Sequence, residues 1–178
     1  MDKKGSIFVI GFFFLLLLII LIAGFVLILS STAVNWVMDE SVPQLKSIGI
    51  VEEHNFTEYT ELAVDPLNTA IQNGTWLIGV LYVILLIGSL GFIFIMNVSP
   101  SRWLMGVFFI LALAVILTSI LISNMYEEIY TNSGEFGLIL QEATLMNFLM
   151  LHSPIVMTII SFIAGILLFS GMSREGYV

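Results

Sequence analysis

Long uncharged apolar runs alternate along this chain with short polar stretches. Ile7 to Ser30 is the first run, Trp76 to Met96 the second and Trp103 to Ile122 the third. Pro154 to Phe169, lengthened at its start by Leu149 to Leu151, is the fourth. A helix needs about 20 apolar residues to cross a bilayer core. Hydrocarbon offers the backbone no hydrogen-bond partner, so each run is predicted to be helical. The pattern therefore predicts an all-α fold: one integral membrane domain over 1–178, a four-helix transmembrane bundle. Its spans lie at about 7–30, 76–96, 103–122 and 151–170.

Signals at the ends of the runs agree with this. Trp36, Trp76 and Trp103 fall near the expected interfaces, where an indole sits half wet. Ser153-Pro154 reads as an N-cap followed by proline at the first helical position. Gly171 suits a helix C-terminus. Pro100 lies in a link so short that spans two and three must form an antiparallel hairpin.

Composition explains why the solvent is lipid. Hydrophobic residues make up 59% of the chain and charged residues 10%, against about 25% charged in a water-soluble domain. The absence of cysteine removes disulfides, thiolate metal sites and cysteine nucleophiles. A net charge of −8 opposes nucleic-acid binding, which needs a basic surface to neutralise phosphates.

The placement of charge then orients the bundle. Lys3, Lys4, Arg102 and Arg174 fall on one side of the predicted membrane and only Lys46 on the other. Positive residues favour the cytoplasmic side, so both termini are predicted inside. Outside lie Asp39, Glu40, Glu52, Glu53, Glu58, Glu61 and Asp65, then Glu127, Glu128, Glu135 and Glu142. The charged start of the first span resembles a signal peptide, but its apolar run is long and no small-x-small cleavage site follows, so an uncleaved anchor is expected. A prepilin-type cleavage after Lys4-Gly5-Ser6 is a weaker alternative.

Two outer segments, 31–75 and 124–150, carry the polar material. In the first, Thr32 to Met38 extends the opening helix, Pro43 is expected to end that extension, and Asp65-Pro66 starts a helix. In the second, Met125 to Glu128 carries the third helix into water, and Thr131-Asn132-Ser133-Gly134 is a turn. From Phe136 to Leu151, the polar residues Gln141, Glu142, Thr144 and Asn147 recur as on one helix face. This predicts an interfacial amphipathic helix on the outer leaflet; a cap over the bundle has similar geometry.

Candidate chemistry is sparse. No Asp, Glu, Lys, Arg or His lies within a span, whereas pumps and transporters commonly keep ionisable groups there. Ser89, Thr118, Ser119 and Ser161 are the hydroxyls from which a channel path could be built. Gly88 and Gly91, and the pair Ser161-x-x-x-Gly165, suit close helix approach, within one chain or between copies of a homo-oligomer. His54 among Glu52, Glu53, Glu58 and Glu61 has metal-binding residue types without fixed geometry, and a solvated acidic loop explains it as well. His152 beside Ser153 lacks the third group and oxyanion site of a catalytic triad. No catalytic, metal or cofactor site is therefore assigned. Asn55-Phe56-Thr57 and Asn73-Gly74-Thr75 are glycosylation sequons on the outer side, with Asn55 the more accessible.

Two short motifs carry a resemblance. Ser123-Asn124-Met125-Tyr126-Glu127-Glu128-Ile129 follows a span, and Met146-Asn147-Phe148-Leu149-Met150-Leu151-His152-Ser153-Pro154 opens the last one. With the Pro100 hairpin, they make residues 76–171 similar to small multi-span membrane proteins of tailless, membrane-containing icosahedral viruses of prokaryotes. The resemblance implies a non-enzymatic structural component of a virion's internal membrane, with a protein partner at the acidic outer face. A small membrane subunit, or an oligomeric channel or transport component of a cellular complex, is the alternative.

Overall fold

A computed structural model describes residues 3–51, 54–96, 100–131 and 134–170 of the chain. Helix α1 runs from Lys3–Ile48, and a two-residue antiparallel pair follows, β1 (Ile50–Val51) with β2 (His54–Asn55). Helix α2 (Phe56–Tyr59) leads through a π-helical turn, Thr60–Val64, into α3 (Asp65–Met96). Then come α4 (Leu104–Tyr130), α5 (Glu135–Gln141), α6 (Thr144–Leu151) and α7 (Ser153–Phe169). The fold is all-helical apart from the β pair. Three helices, within α1, α3 and α4, are long and apolar enough to cross a membrane, and a fourth if α6 and α7 count as one bent span.

Side-chain pairs fix the helix directions. Phe12 meets Phe92 near one end of the α1–α3 contact, with ring centroids 5.1 Å apart. Ser31 and Thr75 share a 3.0 Å hydrogen bond near the other, so these helices are antiparallel. Phe14 on Phe108 and Phe25 on Tyr126 make α1 and α4 parallel. Phe108 on Phe169, and Ser153 on Ser119, make α4 and α7 antiparallel. The start of α1, the link holding Arg102 and the end of α7 therefore share one end of the molecule. The other end, here the cap end, holds α5, α6, the β pair and the last turns of α1.

The periphery is apolar as well as the core, unlike that of a water-soluble bundle. Phe8 is 71% exposed, Phe94 73% and Ile95 81%, whereas Thr32, Asn35, Ser89, Ser119, Ser123, Asn147, Ser153 and Ser161 are buried. Several of the buried hydroxyls, and Thr118 and Thr158, return to carbonyls three or four residues back, as in Thr32 to Ile28 at 2.9 Å and Ser89 to Leu86 at 2.7 Å. Such bonds satisfy a polar group where no water is at hand. Long apolar helices with an apolar periphery fit a membrane protein.

Several local expectations need correction. Pro43 does not end α1: it lies inside the helix, which continues to Ile48. The stop is Gly49, at φ +66°, whose N–H reaches the Lys46 carbonyl at 3.3 Å. Glycine takes that left-handed conformation without a Cβ penalty, so it closes helices well. At 46 residues, or about 69 Å, α1 is roughly twice as long as a bilayer core is thick.

The last apolar run is not one straight helix. Residues 149–151 belong to α6, and α7 turns away from it by 71° at His152. Helix α7 alone has 17 residues, about 26 Å, slightly less than a typical hydrocarbon core. Ser153 is not the N-cap either; that position is His152, and the Ser153 hydroxyl donates to the Ser119 carbonyl at 3.2 Å.

The stretch from Phe136 to Leu151 is also not one helix. It breaks between Gln141 and Thr144 into α5 and α6. Gly137, Leu140, Met146, Leu149 and Met150 face the bundle, so the segment caps it. Asn147, expected on the polar face, is buried at the centre of this cap.

The start of α3 at Asp65 agrees with expectation, but a π-helical turn runs into it. Pro66 has no N–H to return to the preceding turn, and the widened turn before it accommodates the loss. Gly171, Arg174, Glu52, Glu53, Asn97 to Ser99, and Asn132-Ser133 of the expected turn lie outside the described residues.

Candidate functional site

The cap end holds the polar side chains that are organised by structure. A helix leaves its last carbonyls unpaired, and the breaks after α5 and α6 expose two such sets against the bundle. Asn147 answers the first. Its Nδ2 donates to the carbonyls of Leu140 at 3.0 Å and Gln141 at 3.1 Å. Its Oδ1 accepts from the Tyr126 hydroxyl of α4.

Ser123 answers the second set, donating to the Leu151 carbonyl at 2.7 Å. Gln141 donates from Nε2 to the Tyr130 carbonyl at 3.0 Å, and Trp36 donates from Nε1 to Glu135 at 3.2 Å. The cap is thus bonded to α4 and α1 by side chains as well as packed on them. The two motifs behind the viral resemblance meet here, through Tyr126 on Asn147 and Ser123 on Leu151.

Beside the cap, where α1, α3 and the α5–α6 break converge, is a cavity of about 210 Å³. Asn35, Thr75, Glu142 and Thr144 supply polar groups to its wall, with Trp76 and Met146 among the rest. Asn35 is 7% exposed. Its Nδ2 donates to the Thr75 hydroxyl at 3.2 Å, while its Oδ1 is buried with no hydrogen-bond partner. Buried polar atoms are nearly always paired, so this one is an exception needing a cause.

A larger apolar groove, about 550 Å³, runs between α4 and α7. Phe108, Ala112, Ser161, Phe162 and Gly165 are part of its lining. The Ser161 hydroxyl is buried and unpartnered. The glycines separate clearly around the bundle. A Cβ on Gly165 would meet the Phe108 ring at 3.3 Å, so this residue sits at a real α4–α7 approach. A Cβ on Gly88 or Gly91 would meet nothing within 4 Å, so the chain itself does not use these two for close packing. The tightest approach is instead at Gly24, where a Cβ would lie 2.5 Å from the Tyr82 ring.

The other sequence candidates are not gathered into a site. Ser89 and Ser119 donate to Leu86 and Ile116 of their own helices, and Thr118 to Ala114. His152 places Nδ1 2.9 Å from the Phe148 carbonyl and stacks on that ring, away from the committed Ser153 hydroxyl. The backbones of His54 and Asn55 pair with Val51 and Ile50. Lys46 forms a 2.7 Å ion pair with Asp65, both partly exposed. Among the described residues no group of three His, Asp or Glu is placed to hold a metal.

Sequence reasoning passed over Asn35, Gly24 and the interior role of Asn147. A signal existed for the first two: Asn35 is the first amide after 34 residues, and Gly24 is a small residue among bulky ones. Compared with protein-family models, with curated proteins and with solved structures, the chain matches none.

Proposed function

We propose that this chain is a non-enzymatic, four-span integral membrane protein with a structural or scaffolding role, and that the membrane it serves is the internal membrane of a virion. Both termini face the inside, and the cap end faces the surrounding protein layer. One observation carries the reading: the polar mass is collected at a single end of an apolar bundle. Asp39, Glu40, Glu127, Glu128, Glu135 and Glu142 lie at that end, and the one Lys or Arg between residues 5 and 101, Lys46, is already paired with Asp65. The remaining negative charge suits a basic partner surface, since complementary potentials steer and register protein contacts. The motif resemblance supplies the viral setting.

Purified particles of a virus carrying this gene should contain the protein, retained until the lipid is extracted. Its presence in membranes of uninfected cells, and never in particles, would refute the viral setting. A stable complex recovered from those membranes would favour the second reading, a small subunit of a cellular complex. The unpartnered Ser161 hydroxyl in the α4–α7 groove is the feature that supports such a helix-binding subunit.

Orientation has its own test. The chain has no cysteine, so single replacements report cleanly. In intact inner-side-closed vesicles or cells, Ser47→Cys should react with an impermeant maleimide, and Ser173→Cys should react only after permeabilisation. The reverse order would invert the topology.

A further inference from the structure

Helix α1 is longer than a membrane crossing requires. Its uncharged run ends at Ser30, and the helix then rises about 27 Å farther to Ile48. Most sides of this extension are engaged. Thr32, Asn35 and Val42 are buried, with Asn35 bonded to Thr75 of α3. Lys46 pairs with Asp65, and Trp36 reaches Glu135 of α5. The remaining side presents Val34, Val37, Ser41, Leu45 and Ile48. Steps of three, four, four and three residues keep them within about 80° of arc on a helix that turns about 100° per residue. The four apolar members are 36% to 53% exposed. Pro43 falls on the opposite side, so it does not interrupt the stripe.

Lipid does not account for this surface. Asp39, Glu40 and Lys46 stand in the same turns, above the end of the uncharged run. An apolar stripe at that level faces water, and a contiguous exposed apolar surface marks a protein contact.

We propose that the stripe is the seam of a parallel dimer, covered by the same stripe of a second copy. Three features point to that occupant. Copies inserted alike in one membrane share orientation and depth, so α1 meets α1 in parallel and each seam residue faces its own equivalent. The stripe advances about 3.5 residues per step, the repeat at which paired helices interlock their side chains. Charge also fits. The stripe carries no charged residue, whereas a basic partner would need carboxylates to pair with. Among the described residues Glu40 is the acid that borders the seam. In a parallel pair it lies nearest Leu45 of the second copy, five positions on, and not opposite another carboxylate. The inference requires the bundle to sit in a membrane; it does not depend on the viral setting.

The test uses single cysteines in the full chain, which has none of its own, in phosphatidylcholine liposomes. Copper phenanthroline should link Val34→Cys, Val37→Cys and Ser41→Cys into disulfide dimers. Ser47→Cys, exposed but off the stripe, should stay monomeric. The yields at the stripe should hold when lipid is added to dilute the protein. Energy transfer between labelled copies then measures the affinity. Val37→Glu, at a position open to solvent in the single chain, should weaken dimerisation by about tenfold or more, since it sets like charges across the seam.

Equal linking at Ser47→Cys and Val37→Cys would overturn the proposal, because it would reflect random collision. So would an unchanged affinity in Val37→Glu. Linking of Val37→Cys to a different protein in native membranes, with none to its own kind in liposomes, would give the stripe to another partner. Failure of Val37→Cys to react with an impermeant maleimide in diluted, monomeric protein would place the stripe in lipid. Either result would end the dimer.

Discussion

Replacing Asn147 with alanine should destabilise the protein by about 3–5 kcal/mol, the largest loss expected from a polar residue in the chain. The reason lies in what the residue leaves behind. Asn147 is buried and makes three hydrogen bonds at once, to Tyr126, Leu140 and Gln141. Alanine removes one side chain and leaves the Tyr126 hydroxyl and the Gln141 carbonyl without this partner, while the Leu140 carbonyl keeps the Ala143 N–H at 3.2 Å. Each buried unsatisfied group costs about 1–3 kcal/mol, more than a net hydrogen bond contributes. Tyr126→Phe should cost only about 1–2 kcal/mol, because it removes the hydroxyl with its bond and orphans just Asn147 Oδ1. Hydrogen exchange in detergent or nanodiscs gives the decisive readout. Amides of α5 should lose protection in Asn147→Ala while those in the middle of α4 keep theirs. Equal losses for the two variants would show that Asn147 does not organise the cap.

That residue marks the boundary of what hydropathy can reveal. The runs at 7–30, 76–96 and 103–122 were legible because lipid imposes one rule on every position: apolar side chains outward and a satisfied backbone. Phe8, Phe94 and Ile95 obey it openly. The break at His152 was not legible as a bend: His152-Ser153-Pro154 interrupts the apolar run, but so short a polar interruption marks a helix start without stating the angle at which the helix leaves. Pro43 misled for a related reason. Proline removes one backbone bond and crowds the preceding turn, but α1 packs on α3, α5 and α2 along its length, and Val42 beside the proline is buried. The true stop, Gly49, is one residue whose meaning depends on its φ.

The candidate site was less legible than the spans. A periodic polar stripe from Gln141 to Asn147 reads as a wet helix face. In the fold, the break after α5 turns Asn147 inward while Glu142 and Thr144 remain exposed. Sequence spacing cannot distinguish these cases, since both have polar residues three to four apart. Asn35 poses the same difficulty. It is one amide beyond an apolar run, and only the approach of Thr75 and the α5–α6 break makes it part of a wall. The shared end of the positive residues, in contrast, agrees with the helix directions: α1 and α3 are antiparallel and α4 starts just after the link that holds Arg102. Arg102, in the link after α3, therefore lies at the same end as the start of α1.

Glycine supplies the sharpest test of the packing. Gly24→Ala should destabilise the bundle by about 1–3 kcal/mol, in the range of overpacked cores. The new Cβ would stand 2.5 and 2.6 Å from two Tyr82 ring carbons and 3.0 Å from the Met146 methyl. Tyr82 is almost fully buried, so the ring has little room to retreat. Gly79→Ala should cost less. Its Cβ meets the Leu145 side chain, beginning at a terminal methyl at 2.9 Å, and a leucine can change rotamer. Gly88→Ala and Gly91→Ala should be neutral to within about 0.5 kcal/mol, as expected of sites that touch nothing. Thermal or denaturant unfolding of the four variants in one detergent ranks them. Tyr82→Leu placed in the Gly24→Ala background should recover part of the loss, since shortening the ring opens the space the methyl needs. A Gly88→Ala penalty as large as that of Gly24→Ala would contradict the contact pattern within the chain. Were that penalty to appear only in membranes and vanish on dilution in detergent, it would instead place a second helix on the open face of α3.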